Sequence, residues 1–141
     1  MPAWSSNRPV SVDEKTAILL VGHGSRAEGA NDSQYRVAAD LKSSGRYPVV
    51  ECAFLELNQP DIPAGLSLCR AAGATRIVVV PYFLHMGMHV RKDLPRIIGD
   101  WWLENSEVEI VDSPPLGYSP KITELVEERI GQALTESSVK E

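Results

Sequence analysis

The sequence predicts an α/β protein: one domain in which a four-stranded, mostly parallel sheet carries helices on both faces. Three observations lead there. Four apolar, β-branched runs alternate with four stretches of helical periodicity. Strand–helix alternation of this kind folds as parallel βαβ units joined by right-handed crossovers. The chain has 141 residues, the length of a single domain that can bury a real core.

The elements follow in order. Thr16-Ala17-Ile18-Leu19-Leu20-Val21-Gly22 is a continuous apolar run, the pattern of a strand covered on both faces. Tyr35, Ala38, Ala39 and Leu41 then recur at helical spacing, and the helix stops near Gly45. Pro48 to Leu55 is a weaker second strand. Asp61 suits the N-cap of a helix with Leu66, Cys69 and Ala72 on one face and Gly73 at its end. Thr75 to Phe83 is the strongest apolar run. Asp93 suits the N-cap of the next helix, which carries Leu94, Ile97, Ile98 and Trp101 and tolerates Pro95 in its first turn. Val108-Glu109-Ile110-Val111 is short and half polar, as an edge strand would be. The last helix has Ser119 as N-cap and Pro120 at its first position, then Ile122, Leu125, Val126, Ile130 and Leu134. Residues 1–14 read as a flexible leader, 15–135 as the domain and 136–141 as a frayed tail.

Composition excludes several functions. The net charge is -5, so bulk charge offers nothing to DNA or RNA. No apolar run approaches the roughly 20 residues of a membrane span, and the first 14 residues hold no apolar secretory segment. Nucleic acid and membrane are therefore not expected partners. Cys52 and Cys69 sit within apolar stretches and lack a Cys-x-x-Cys spacing. Buried thiols in a reducing, cytoplasmic setting are expected.

The chemistry lies in the histidines. There are 3, and each follows an apolar run: His23 after the first strand, His85 and His89 after the third. In open α/β sheets, ligands bind at the carboxyl ends of the strands, near the switch in strand order. In a flavodoxin-like order the first and third strands are neighbours, so all three histidines should converge on one rim. Gly22 and Gly24 flank His23 and let the backbone turn sharply beside a bulky ligand. Ser25 and Arg26 add a hydroxyl and a fixed cation. The plainer reading of His23 is a hydrogen-bonded strand end. A phosphate cradle is disfavoured, because no Gly-Lys-Ser/Thr follows. A phosphohistidine nucleophile is disfavoured because Gly22 stands where an arginine is wanted.

His85 and His89 are four apart, a spacing that shares one face of a helix. Gly87 between them, and the strand exit at Phe83-Leu84, favour a loop instead. Packing against Met86 and Met88 is the plainer reading of either, more so of His85. Glu56 ends the second strand on the same rim. It is either a surface carboxylate or a general base or ligand. Neutral imidazoles suit divalent iron, cobalt, nickel, zinc and copper, and two histidines with one carboxylate leave coordination positions open. Arg26, Arg91 and Lys92 make a local basic rim for a polyanion. Tyr82, Phe83, Leu84, Met86 and Met88 supply an apolar wall for a flat ring.

Three stretches carry a resemblance. His23-Gly24-Ser25-Arg26, Ala53-Phe54-Leu55-Glu56, and the run from Pro81 through His85, Gly87, His89 and Arg91 to Pro95 resemble the class II chelatases of the sirohydrochlorin cobaltochelatase/ferrochelatase type. The likeness covers roughly residues 16–134, and the third motif is long and specific. It implies a chelatase-like, flavodoxin-like three-layer fold. It also implies ATP-independent insertion of Co2+ or Fe2+ into sirohydrochlorin, for cobalamin or sirohaem, with Ni2+ a further candidate. No cofactor beyond the substrate metal is implied. By the resemblance, His23 and His89 bind metal and Glu56 is the motif glutamate, while His85 is an accessory ligand or lines the pocket. Long members hold two such domains in tandem and short members pair as homodimers, so one copy of each motif implies a homodimer.

The physical account runs alongside. Sirohydrochlorin is flat, apolar on its faces and ringed with carboxylates. The stretch Tyr82, Phe83, Leu84, His85, Met86, Gly87 and Met88 would hold the face; Arg26, Arg91, Lys92 and helix N-termini would hold the rim, with Ser25 also contacting substrate. His23 and His89 would replace metal-bound water, and Glu56 or a neutral imidazole would accept a pyrrole proton. The competing reading is a metal or tetrapyrrole carrier that uses the same cleft without catalysis. Only neutral imidazole binds metal, so insertion should fall below about pH 6.5, and equal turnover at about pH 5 and about pH 8 with intact substrate would overturn that expectation.

Overall fold

The computed structural model describes residues 15–140. The expected leader over 1–14 lies outside the described residues, as does Glu141, and side chains are described as far as Glu136. Strands and helices alternate without exception: β1 (Thr16–Gly22), α1 (Asp32–Ser43), β2 (Val49–Phe54), α2 (Ile62–Ala71), β3 (Arg76–Pro81), α3 (Met88–Leu103), β4 (Glu109–Asp112) and α4 (Pro120–Lys140).

The apolar runs become strands because both of their faces are covered. β1 is buried along its whole length. The order is β2-β1-β3-β4, and the pairings are parallel throughout, so the sheet is wholly rather than mostly parallel. β1 and β3 are neighbours in register from Thr16↔Arg76 to Val21↔Pro81. That register puts the exits of both strands side by side. β4 is the edge strand its half-polar sequence suggested.

Alternation along β1 divides the core. Ala17, Leu19 and Val21 join Ile62, Leu66 and Cys69 of α2 and Leu94, Ile98 and Trp101 of α3 in one cluster. Ile18 and Leu20 join Ala38 of α1 with Val50, Cys52 and Phe54 of β2 in the other. The Trp101 indole N–H donates to Ser67 Oγ at 3.0 Å and ties α3 to α2.

Three helices differ from their sequence-based outline. In α2, Asp61 caps as expected, its carboxylate accepting from the Ala64 N–H at 2.9 Å. Ala72 falls at the C-cap and is exposed, so the buried face ends at Cys69. In α1 the buried residues are Gln34 and Ala38, while Tyr35 and Ala39 are exposed. A polar residue can be buried here because its amide has partners: Gln34 Nε2 donates to Leu20 O at 3.1 Å and Ala53 O at 3.4 Å. The amide thus bridges the ends of β1 and β2.

Helix α3 departs most. It begins at Met88 with Gly87 as its N-cap, not at Asp93. Asp93 lies in its second turn and Pro95 in its interior. Gly87 has φ -69, ordinary for any residue, and so does not break the chain there. The Asp93 carboxylate serves a side chain instead of helix N–H groups, as described below. At α4, Ser119 Oγ accepts from the Lys121 N–H at 3.2 Å, as an N-cap does. Beyond that turn, among the described residues, α4 packs on no other element to any substantial extent. Among the described residues no helix is long and apolar enough to cross a membrane.

Two outcomes follow from this packing. A Cβ at Gly22 would stand 1.9 Å from Gln34 Oε1, which is held in place by its own hydrogen bonds. Gly22→Ala should therefore destabilise by about 2 kcal/mol, as overpacking does. Combining it with Gln34→Ala should be clearly less than additive in urea unfolding, and strict additivity would refute the contact. Cys69 is fully buried, and burial, with a smaller contribution from the Glu51 charge, pushes its thiol from 9.0 up to about 12. The native thiol holds its proton where the unfolded chain's thiol has lost it, so this contribution to stability is present below pH 9 and lost as pH rises toward 12. Cys69→Ala should flatten the alkaline decline of the unfolding free energy; an unchanged slope would refute this.

Candidate functional site

The exits of β1, β2 and β3 form one rim. Past β1 the chain turns through His23-Gly24-Ser25, and past β2 through Glu56-Leu57-Asn58. These two loops are locked together. Leu55 N–H donates to Gly22 O at 2.9 Å and Glu56 N–H to His23 O at 3.1 Å, extending the strand pairing past the strand ends. Ser25 N–H donates to Asn58 Oδ1 at 2.7 Å.

The lock explains the second glycine. Gly24 has φ +98, and a Cβ there would stand 1.9 Å from the backbone oxygen of Glu56. Only glycine meets both conditions. On the other side, Asn58 N–H donates to Glu56 O at 2.9 Å around Leu57, which has φ 70. This is a tight γ-turn in a conformation unfavourable for leucine by about 1 kcal/mol or more. The surrounding bonds hold it, and it aims Glu56.

Glu56 Oε1 lies 3.0 Å from His23 Nε2. Both side chains are about half exposed, 54% and 56%, so the pair is reachable from solvent. The Phe83 ring meets the imidazole edge-on, with centroids 6.4 Å apart and planes at 80°. Phe83 follows Tyr82, whose N–H donates to Val21 O at 2.7 Å, so β3 delivers this ring to the β1 exit.

His89 lies in the first turn of α3, on the rim past β3. Its Nε2 is 2.8 Å from Asp93 Oδ2, a pairing four residues apart on one helix face. The imidazole is 87% exposed and Asp93 only 25%. Asp93 is thus a largely sheltered carboxylate presenting an open histidine. His85 is exposed in the loop before Gly87 and does not share that helical face.

The structure therefore pairs His23 with Glu56 and His89 with Asp93. It does not gather them into one cluster: among the described residues, no three His, Cys, Asp or Glu side chains are placed to hold an ion together. The other expected site residues spread out. Ser25 Oγ accepts from the Ala27 N–H at 3.1 Å within its own loop. Arg26 and Arg91 are exposed, as is Lys92. Tyr82 turns toward α1, its hydroxyl 3.4 Å from Ser33 Oγ. Leu84 lines a cavity of about 430 Å³ against α4 with Ile122 and Val126. Met86 packs on the core cluster, whereas Met88 is exposed. The cavity at α4 includes none of His23, Glu56 and His89.

Three residues that shape the site carry no site role in the sequence reading. Gln34 reads as an exposed helix residue by type, and nothing in its spacing marks it. Asn58 belongs to Leu57-Asn58-Gln59-Pro60, an evident turn whose side-chain partner lies 33 residues away. Asp93 was assigned a capping role because its type suits one.

Comparison with known proteins places the chain in a family. The CbiX family model matches residues 17–133. The sirohydrochlorin cobaltochelatase of Methanopyrus kandleri is 32% identical over 140 residues, covering 85% of this chain and 98% of that protein. The chloroplastic sirohydrochlorin ferrochelatase of Arabidopsis thaliana is 34% identical over 124 residues, covering 88% of this chain and 55% of its own length. The crystal structure of the sirohydrochlorin chelatase SirB from Bacillus subtilis subspecies spizizenii in complex with cobalt superposes with a TM-score of 0.77 at 34% identity, over 84% of this chain and 50% of that one. The chain thus spans about half the length of the last two and nearly all of the first. With the family model matching most of its length, this chain belongs to the CbiX family.

Proposed function

We propose that this chain inserts a divalent metal, Co2+ or Fe2+, into sirohydrochlorin without ATP. The observation that carries the reading is the His23–Glu56 pair at 3.0 Å, open to solvent and flanked by the Phe83 ring. Such a pair supplies an imidazole ligand and a proton acceptor at one place, and metal insertion needs both: metal enters, two pyrrole protons leave. Family membership and the names of the relatives supply the substrate class.

Each step can be assigned to residues. His89, standing 87% exposed at the start of α3, meets the hydrated ion and takes the place of water ligands. Asp93 orients that imidazole through Nε2. His23 receives the ion at the β1 exit. Glu56, released from His23 as the ion binds, accepts one pyrrole proton, and the other passes to solvent water at the open rim. Arg26 and Arg91 meet the carboxylates of the tetrapyrrole rim. No resident cofactor is required, and the site works in the cytoplasm as a homodimer. The metal is substrate here, so weak, open coordination serves the reaction better than a closed site.

The test follows absorbance as purified protein, sirohydrochlorin and Co2+ or Fe2+ are mixed. Insertion should run well above the uncatalysed rate, and a protein that binds either component without speeding insertion would be a carrier instead. Glu56→Gln should lower turnover about 100-fold, the scale of a lost proton acceptor, while metal binding persists. His23→Ala and His89→Ala should each weaken Co2+ binding in titration calorimetry and cut kcat/KM by at least about tenfold. Parental rates in both histidine variants would overturn the assignment.

A further inference from the structure

Asn58 bonds into both of the loops that carry the His23–Glu56 pair. Its backbone N–H donates to Glu56 O at 2.9 Å and closes the turn around Leu57 on its own side. Its side-chain Oδ1 accepts from the Ser25 N–H at 2.7 Å, across a sequence separation of 33 residues. Asparagine suits turns by type, and there its side chain ordinarily bonds its own backbone two residues on. Here the acceptor is committed instead to the loop opposite.

The base of the Glu56 loop is held without this contact. Phe54 N–H donates to Pro60 O at 2.9 Å, so the chain leaves β2 at Leu55 and returns to it within a few residues. The tip of the loop is held differently. The cross-strand backbone bonds run as far as Glu56 N–H to His23 O at 3.1 Å, and then Gly24, at φ +98, turns the first loop out of the strand path. Past that point the Asn58 side chain takes over the role of the backbone ladder. A Cβ at Gly24 would stand 3.1 Å from Asn58 Oδ1 as well as 1.9 Å from Glu56 O, so this glycine leaves room for both parts of the clasp.

We propose that Asn58 is a positioning residue of the site: by clasping the Ser25 N–H it holds the two loops at the spacing that sets Glu56 Oε1 3.0 Å from His23 Nε2. The pair needs such a device. Both side chains are about half exposed, so packing around them does not fix their separation, and placement of the backbone does. Without the clasp, the Glu56 turn and the His23 loop are free to part at their tips while the strands beneath stay paired.

The consequence for chemistry is selective. A misplacement of about 1 Å can cost on the order of 100-fold in rate, and proton transfer requires the acceptor within hydrogen-bond reach. Ligation by a single exposed imidazole is more forgiving, because the ring can turn about its own side-chain bonds to meet an ion. Loss of the clasp therefore acts on turnover and leaves Co2+ affinity nearly unchanged. The placement of the pair stands on the geometry; only the effect on turnover rests on the chelatase reading.

Asn58→Leu keeps the approximate size of the side chain and removes the acceptor. In this variant the Ser25 amide should exchange with solvent at least about tenfold faster, with far-UV circular dichroism retained. The imidazole nitrogen shifts of His23 should move with it. Asn58→Asp keeps an acceptor and should restore the protection of Ser25; Asn58→Ala replaces the leucine variant if that chain does not fold. In Co2+ insertion into sirohydrochlorin, Asn58→Leu should lower kcat about tenfold while Co2+ affinity stays within about twofold. A residue that acts through Glu56 loses its effect when Glu56 is already disabled, so Asn58→Leu combined with Glu56→Gln should be no slower than Glu56→Gln alone. An equal fall in both backgrounds would overturn the proposal, as would unchanged Ser25 exchange in the leucine variant or an aspartate variant that leaves Ser25 unprotected. If the parent chain itself does not speed insertion, the functional reading fails, and Ser25 exchange with the His23 shifts still decides the positioning.

Discussion

The central position of β1 is the constraint on which the rest depends. β1 pairs in parallel with β2 on one side and β3 on the other, and all three strands point the same way. Their exits therefore open on one rim. His23 leaves from the middle strand, Glu56 from one neighbour, and the Phe83 to His89 segment from the other. Had β1 lain at an edge, either Glu56 or Phe83 would stand a strand further away. The 3.0 Å pair and the edge-on ring contact are consequences of strand order before they are consequences of side-chain chemistry.

Strand order alone does not aim a carboxylate. The β1 and β2 exits are spliced by backbone hydrogen bonds, by Asn58 holding the Ser25 N–H, and by Gln34 bridging from beneath. The glycines in this assembly answer to different neighbours: Gly22 leaves space for the Gln34 amide, and Gly24 for the Glu56 carbonyl. The proposed reaction, in which the site hands on a metal ion, needs ligands held loosely and a frame held tightly. Here the frame is buried and hydrogen-bonded, while His23, Glu56 and His89 keep most of their contact with water.

The two histidine–carboxylate pairs differ in how they are built. His23 and Glu56 come from different strands and meet through the sheet. His89 and Asp93 meet within one helix turn and need nothing beyond α3. The first pair is thus coupled to the integrity of the fold, and the second is local. Together they divide the proposed reaction into a receiving side built by the sheet and a delivering side built by one helix.

By itself, the sequence determined the alternation of strands and helices, because buried parallel strands must be apolar on both faces and helices on one. It determined the burial of Cys52 and Cys69 for the same reason. It also marked His23, Glu56 and His89 through their place after apolar runs and through motif likeness. What it did not determine were contacts between distant residues. Gln34 is polar, and only the carbonyls of Leu20 and Ala53 make its burial favourable. Asp93 has the chemistry of a cap, and only the early start of α3 turns it toward His89. The stripe on α4 was legible as amphipathic, but amphipathicity names a face to be buried and not the surface that buries it. That choice belongs to tertiary structure, where, among the described residues, α4 packs on no other element to any substantial extent.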